Sequence, residues 1–448
     1  TKNVTGLNLL PFVIYDDPFD IIAHLMVGSE GTLAFLSEVT MKTEHDYPYS
    51  ASAMLYFSNI KDACRAVVAM KPGPVFSAEL LDKKSLASVN DTTGTGLTAV
   101  LTETKADTPE ELQANIEEIK KILSPFETVT PIHFTDKPEE YSKYWAIRSG
   151  IFPSVGGTRR PGTTVLIEDV AFPLKELPEA TADLQELLVT NEYHDACIYG
   201  HALEGNFHFI ISQSFDSPEQ VARYEKLMDE VKTLVVDKYD GSLKAEHGTG
   251  RNMAPFVKYE WGERAYGFMK AVKELFDPKG LLNPGVIFNE DPHCHLKHFK
   301  PMPLTNAHVD KCIECGFCEV NCLTCGFSLS SRQRIVIQRE ISRLKKLSDT
   351  ESSERLKTLQ KQYKYLGNAT CAGDGLCSMS CPMGINVGDL THDIRQANLP
   401  EKSIGYKTGD FVANHFAETK SALRPVLYLA NMAHNMLGDK VMSSIGQG

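Results

Sequence analysis

Apolar residues recur along this chain in two rhythms. Between residues 50 and 288, short runs rich in β-branched and aromatic residues alternate with longer stretches whose apolar positions return every three or four residues. The first rhythm predicts strands and the second amphipathic helices. Strands are expected at 52–57, 97–104 and 163–170, and helices near 62–70, 109–123, 179–189, 219–238 and 264–275. Two further apolar runs, 195–199 and 207–212, flank a polar turn and predict a β-hairpin. Upstream, 9–15 and 34–39 read as strands around a Gly-rich turn. This alternation predicts an α+β domain with helices packed on one face of a largely antiparallel sheet.

The rhythm changes downstream. Residues 289–311 are rich in Pro, His and Lys and lack periodicity, which predicts a linker. Beyond it, two cysteine loops are separated by helices expected near 331–347 and 352–366, and an amphipathic helix is expected over 422–441. The units are therefore 1–45, 46–288, 289–311, 312–395 and 396–448. No internal repeat of long period and no low-complexity tract is visible. The chain opens on Thr1-Lys2-Asn3, without Met and in mid-pattern, so a fragment or a processed product is expected.

Within the hairpin, a two-residue turn at Glu204-Gly205 would set His201 directly opposite His208. Cross-strand neighbours on one face have Cβ atoms about 5 Å apart. Two imidazoles at that spacing can share one metal ion; the alternative is a pair of polar residues facing water.

Composition narrows the classes. The 448 residues have a net charge of −12, with 23% charged and 42% hydrophobic residues. That balance argues against a nucleic-acid surface. No run of 18 apolar residues is present to cross a bilayer, and no secretory signal opens the chain. Of the 11 cysteines, all but Cys64, Cys197 and Cys294 fall between Cys312 and Cys381. Clustering of this kind predicts metal ligation in a reducing compartment. The expected location is the cytoplasm, or the inner face of the cytoplasmic membrane as a peripheral protein.

The cysteine spacing is specific. Cys312-x2-Cys315-x2-Cys318-x3-Cys322 matches the bacterial ferredoxin run, whose fourth thiolate ligates the other cluster. The second loop is Cys371-x2-Asp374-x2-Cys377-x3-Cys381-Pro382, with Asp374 where the second thiolate belongs. Crossing the ligands gives one complete 4Fe-4S cluster on Cys312, Cys315, Cys318 and Cys381. A second cluster takes Cys322, Cys371 and Cys377 and lacks one thiolate. Asp374 or Cys325 would complete it, or it would be a 3Fe-4S centre. Two one-electron centres in series imply a two-electron cofactor upstream.

Gly28-Ser29-Glu30-Gly31-Thr32-Leu33 is a Gly-rich turn whose exposed N–H groups could approach a pyrophosphate. Taken with Gly200-His201, Gly205-Asn206-Phe207-His208, Glu246-His247-Gly248-Thr249-Gly250 and Leu282-Asn283-Pro284-Gly285, it forms an ordered set. In that order the motifs resemble FAD-linked oxidases of the vanillyl-alcohol-oxidase type. With the cysteine block attached, the chain resembles the FAD and iron–sulfur D-2-hydroxyacid dehydrogenases, which act on D-lactate or D-2-hydroxyglutarate. The resemblance implies a ferredoxin-like substrate domain, the FAD-linked oxidase C-terminal domain, over 46–288. A mainly α-helical two-cluster iron–sulfur domain follows over 312–395. Residues 1–45 would be the end of an FAD-binding domain, and 396–448 a helical tail leading to a further electron-transfer domain. A chain without the FAD-binding half is expected to hold flavin poorly or not at all.

By matched position, the resemblance implies that His201, His208 and Glu246 ligate a divalent metal, zinc or manganese, beside the flavin. It makes His247 the base and Arg148 the clamp on the substrate carboxylate. Asn206 and Asn283 would lie near the isoalloxazine, and Gly28, Ser29, Gly31 and Thr32 would line the FAD. Oxidation of the hydroxyacid would send hydride to flavin N5 while His247 takes the hydroxyl proton, and electrons would leave through the clusters to a quinone or another carrier. D-lactate, D-2-hydroxyglutarate and glycolate remain alternative substrates, and a pure electron-transfer subunit is the alternative of another class. Four residues depart from the family pattern: Leu203-Glu204 for Gly-Asp, Ala34 for Gly, and Leu323 for the Pro after Cys322. Adjacent Glu246 and His247 would face opposite sides of a regular strand, so both can serve one site only if the chain bends there.

Overall fold

Six strands form one antiparallel sheet in the computed structural model of the chain, which describes residues 1–89, 96–400 and 403–446. They are β1 (Tyr49–Phe57), β2 (Ser77–Leu81), β3 (Thr98–Ala106), β4 (Thr164–Ala171), β5 (Cys197–His201) and β6 (Asn206–Gln213), in the spatial order β1-β3-β2-β5-β6-β4. The mixed α+β class expected from the alternating rhythm is the one observed. Helix starts follow their local chemistry. Asn59, Thr108 and Ser217 each accept a backbone N–H of the first turn, and Pro109 and Pro218 occupy the first helical position.

One face of the sheet carries the larger core. Phe207 and Phe209 of β6 are fully buried there against Leu80, Val170 and Ile198, under the helices Ile60–Met70, Leu177–Thr190 and Pro218–Lys232. Burial of each such aromatic contributes about 1.5–3 kcal/mol. The other face is also covered, contrary to the one-sided packing expected. Ile151 and Val155 of the helix Pro138–Thr158 pack on Met54, Leu81 and Leu101. That helix was invisible in the periodicity because its apolar residues spread round its circumference and Pro153 lies inside it.

Other expectations are corrected. Segment 9–15 is not a strand; Pro11–Ile14 forms a helical turn, followed by the helix Pro18–Leu25 capped by Asp17. Segment 34–39 has no regular structure, and Phe35 is 86% exposed. An apolar run becomes a strand only with a neighbour to pair with, and this one has none among the described residues. The expected helix 264–275 is Val257–Phe276, kinked at Gly262. Strand β2 was not anticipated at all.

The hairpin forms with a different register. Tyr199, not His201, lies opposite His208. A 3-10 turn over Ala202–Glu204, closed by Gly205 at φ +70, replaces the two-residue turn. The pairing slips by two residues, and an even slip leaves every side chain on its original face. His201 and His208 are therefore diagonal neighbours on the same face, with ring centroids 5.4 Å apart.

Beyond residue 288, the helices Ser331–Leu344, Thr350–Tyr363 and Val387–Ala397 surround the two cysteine loops. The helices Ile404–Asn414 and Phe416–Gly446 follow, the second broken at Gly438 and including the expected 422–441. None of the described helices is long and apolar enough to cross a membrane. The cysteine loops touch the sheet domain at the end of Pro138–Thr158. A Cβ on Gly156 would stand 2.6 Å from Ile313 Cγ2, and one on Gly157 only 1.8 Å from Met383 Cε. Next to them, Arg159 donates to the carbonyls of Lys311 (2.9 Å) and Cys312 (3.0 Å).

Gly205 is the most constrained point of the hairpin, since an added Cβ would lie 2.3 Å from the backbone oxygen of Phe172. Gly205→Ala is expected to cost at least about 2 kcal/mol, from the left-handed backbone and the backbone clash together. Urea unfolding of the variant against the parent checks this.

Candidate functional site

The sheet register assembles a polar row on the face that carries Pro138–Thr158. Glu79 of β2 pairs with His201 of β5, and His208 of β6 pairs with Asp169 of β4. Side chains directly opposite across strands share a face, so four chemistry-bearing residues from four adjacent strands line up. Glu79, His208 and Asp169 are all 5% exposed or less.

Asp169 then shapes the loop above it. Its Oδ2 accepts the N–H groups of Ala245 (2.8 Å), Glu246 (2.6 Å) and His247 (3.3 Å), wrapping residues 245–247 around one carboxylate. The chain here is bent rather than extended, as required for both Glu246 and His247 to face the row. Glu246 Oε1 lies 3.3 Å from His201 Nε2, 3.1 Å from His208 Nε2 and 3.6 Å from His247 Nε2. One ligand atom from each of His201, His208 and Glu246 falls within 4.8 Å of the others. His247 stacks on His208, with ring centroids 4.7 Å apart and planes 4° from parallel, and its Nδ1 stands 3.7 Å from Asp169 Oδ1.

The row's electrostatics follow from its packing. Burial and the neighbouring imidazoles His247 and His201 push the His208 pKa down to about 3, so its ring is neutral at any ordinary pH. The hydrogen bond that His201 Nδ1 donates to Glu79 Oε1, 2.5 Å, raises the His201 pKa against its partial burial. Burial pushes the Glu79 carboxyl up, but His201 and Arg148 outweigh it and hold it below the usual carboxylate range. Arg148 donates to Glu79 Oε2 through Nε at 2.7 Å and lies over the Tyr199 ring, 4.7 Å from its centroid. Asp169 is likewise held low: Lys244 and the loop N–H groups outweigh its burial.

A second assembly adjoins the first. The Glu30 carboxylate accepts the N–H groups of Thr249 (2.6 Å) and Gly250 (2.7 Å), and Asn283 Nδ2 donates to the Glu30 carbonyl at 2.6 Å. The turn 28–32, the loop 246–250 and the turn at 283 are thus one structure. Gly28 and Gly31 have φ of +76 and +70, and no side chain crowds Gly28. The hydroxyls of Ser29 and Thr32 are engaged internally, on the Met26 and Ser29 carbonyls. Asn206 is fully buried on the same face as His208, yet neither its Nδ2 nor its Oδ1 has a partner among the described residues. The Nδ1 of His208 is in the same state. Buried polar groups are almost always satisfied, so these orphaned atoms, and separately the open turn at Gly28, fit a polar cofactor such as FAD.

The cysteine loops are arranged as two parallel turns. Gly316, at φ +87, follows Cys315 and opens a 3-10 turn. Gly375, at φ +75, follows Asp374 and opens another. Asp374 therefore occupies the place of Cys315 in the second loop. Cys312, Cys318, Cys377 and Cys381 pack in one cluster, and Cys315 is exposed. Cys322, Cys371, Cys377 and Asp374 line one cavity. Burial raises the Cys312 thiol to about 11 and also raises Cys318 and Cys377. For Cys322 burial is outweighed by Thr324, backbone N–H groups and Arg334, and its pKa falls.

Sequence reasoning placed His201, His208, Glu246 and His247 together, but missed Glu79 and Asp169, which hold them. A weak signal for each exists. Both are acidic residues inside otherwise apolar runs, Ser77–Leu81 and Thr164–Ala171.

Asp277 secures the turn at 283. It accepts the N–H groups of Leu281 and Leu282 and pairs with Lys273, which also donates to the Thr32 carbonyl. Lys273 and those N–H groups outweigh desolvation and lower the Asp277 pKa from 3.8 to about 2. A carboxyl depressed in the folded state contributes stability above its unfolded pKa and loses it as pH falls through the folded value. The parent should therefore lose stability between pH 3.8 and about 2. Asp277→Asn should start lower and lack that step, as read by thermal melts across pH.

The family of FAD linked oxidases, C-terminal domain, matches residues 48–287, and a 4Fe-4S dicluster domain matches residues 308–385. The chain is 29% identical over 286 residues to the mitochondrial D-lactate dehydrogenase (cytochrome) of Arabidopsis thaliana, covering 61% of this chain and 48% of that protein. It is 25% identical over 276 residues to the glycolate oxidase subunit GlcD of Bacillus subtilis, covering 60% and 57%. Against the mitochondrial D-2-hydroxyglutarate dehydrogenase of Arabidopsis thaliana the figures are 28% over 307 residues, 63% and 51%. The chain thus spans about half the length of the curated relatives it matches. With more than half of its residues in the first match, this chain belongs to the FAD-linked oxidase C-terminal family and carries a 4Fe-4S dicluster domain behind it.

Proposed function

We propose that this chain holds the substrate site and the electron exit of an FAD- and iron–sulfur-dependent enzyme that oxidises a D-2-hydroxyacid to the 2-oxoacid. The observation that carries this is the convergence of His201, His208 and Glu246, with His247 stacked alongside, on a chain that continues into two cysteine loops. The relatives support the substrate class, since lactate, glycolate and 2-hydroxyglutarate are all 2-hydroxyacids.

His201 and His208, each through Nε2, and Glu246 through Oε1 would hold a divalent cation, zinc or manganese. Such a cation lowers the cost of negative charge developing on the substrate hydroxyl. The donor set suits it. His208 is neutral, as a ligand must be, and Glu79 fixes the His201 ring through Nδ1, the usual arrangement of a carboxylate behind a ligating imidazole. His247 accepts the hydroxyl proton at Nε2, oriented by Asp169 on its Nδ1 side. Arg148 clamps the substrate carboxylate with its terminal nitrogens, while Glu79 holds its Nε. The turn at Gly28, Ser29, Gly31 and Thr32, with Asn206 and Asn283, would hold FAD, which when bound accepts the two electrons.

Cys312, Cys315, Cys318 and Cys381, and Cys322, Cys371 and Cys377, would hold the two clusters, which would supply one-electron transfer toward a quinone or another carrier. Asp374 lines the second cavity and Cys325 does not, which favours Asp374 as the remaining ligand there. The loops bearing Cys312 and Cys381 are those seated on Gly156 and Gly157, which supports the complete cluster as the entry point.

In the FAD-loaded protein, D-lactate, glycolate and D-2-hydroxyglutarate are tested with a dye acceptor. Reduction that depends on a 2-hydroxyacid is expected; equal rates with simple alcohols, or none with any hydroxyacid, would contradict the proposal. His247→Ala should lower turnover by about 10²–10⁴, the usual worth of a general base, with flavin content unchanged.

A further inference from the structure

Arg334, on the helix Ser331–Leu344, is 1% exposed, a buried guanidinium with no carboxylate partner among the described residues. Its helix neighbours differ: Arg332 pairs with Glu319, Arg339 with Glu314 and Arg343 with Glu340. Arg334 instead donates from Nε to the Gly367 carbonyl at 2.6 Å, and from one terminal nitrogen to Thr324 Oγ1 (3.0 Å) and Thr370 Oγ1 (3.1 Å). Its other terminal nitrogen points at Cys322 Sγ, 3.7 Å away. Every one of those oxygen acceptors is neutral. A fixed positive charge taken out of water needs a negative one nearby. The candidates are the thiolates of the cavity that Arg334 lines with Cys322, Cys371, Cys377 and Asp374.

We propose that Arg334 is a positioning residue for the second cluster. It supplies an N–H donor to the Cys322 sulfur and a buried positive charge that stabilises the added electron, so that this cluster is the easier of the two to reduce. This rests on the reading that Cys322, Cys371 and Cys377 hold a cluster. Hydrogen bonds to sulfur and local net charge are among the main determinants of cluster potential. The direction follows: a cation beside the sulfur favours the reduced, more negative state, which draws electrons onward from the entry cluster. A purely structural pin between the helix and Gly367 would need only a neutral donor. The two threonine hydroxyls that fix the guanidinium plane hold the charge toward Cys322.

The test is an EPR-monitored redox titration of the whole chain with its clusters reconstituted, for the parent, Arg334→Gln and Arg334→Lys. Iron content and the two signals of the parent test the two-cluster reading separately. In Arg334→Gln the second couple should move about tenfold toward its oxidised form, about 59 mV lower for a one-electron couple. The first couple should stay in place, and Arg334→Lys should retain most of the parent potential. Selective absence of the second cluster in Arg334→Gln, with both clusters present in Arg334→Lys, also supports the charge requirement. An unmoved second potential in a fully loaded Arg334→Gln overturns the proposal. So does loss of cluster in both variants alike, which would make Arg334 a structural post.

Discussion

Glu79 is a carboxylate buried in the middle of a sheet, and the rest of the site depends on how it is neutralised. One oxygen takes His201 and the other takes Arg148. A buried charge survives only when paired and hydrogen-bonded, and here the two partners come from different elements, strand β5 and the helix Pro138–Thr158. The pairing therefore joins that helix to the sheet, sets the ring orientation of His201, and leaves its Nε2 facing Glu246. Asp169 does the same work one strand pair away, gathering three backbone N–H groups so that adjacent Glu246 and His247 meet one site.

The same helix extends this order to the electron-transfer end. Its last turn carries Gly156 and Gly157, whose missing side chains admit Ile313 and Met383, and Arg159 then binds the carbonyls at 311 and 312. Arg148, midway along this helix, meets the polar row, and Arg159, at its C-terminal cap, meets the cysteine loop. Displacing the helix would disturb both together, which links the polar row geometrically to the first cysteine loop.

Much of this was legible in the sequence because the relevant signals are local. The ordered motifs at 28–33, 200–208, 246–250 and 282–285 mark turns, and turn chemistry can be read residue by residue. The cysteine spacing carries its own geometry, and the structure brings both loops together, with Cys312, Cys318, Cys377 and Cys381 packed in one cluster. What was not legible depends on tertiary pairing. Strand β2 is the five residues Ser-Ala-Glu-Leu-Leu, whose composition favours helix over strand, and only its two neighbours make it extended. Missing it meant missing Glu79. The register of the hairpin was misread because a 3-10 turn replaced the two-residue turn, yet both histidines kept their face because the slip was even. The segment 34–39 has strand composition without a strand partner, the opposite error from the same cause.

The central claim is that His201, His208 and Glu246 hold a divalent cation on a scaffold set by Glu79 and Asp169. Metal content measured after exposure to zinc or manganese and exhaustive dialysis tests it most directly. One such ion per chain is expected in addition to iron, lost in His208→Ala and in Glu246→Gln with the iron unchanged. Iron alone in the parent, or a second metal that persists in both variants, would contradict it.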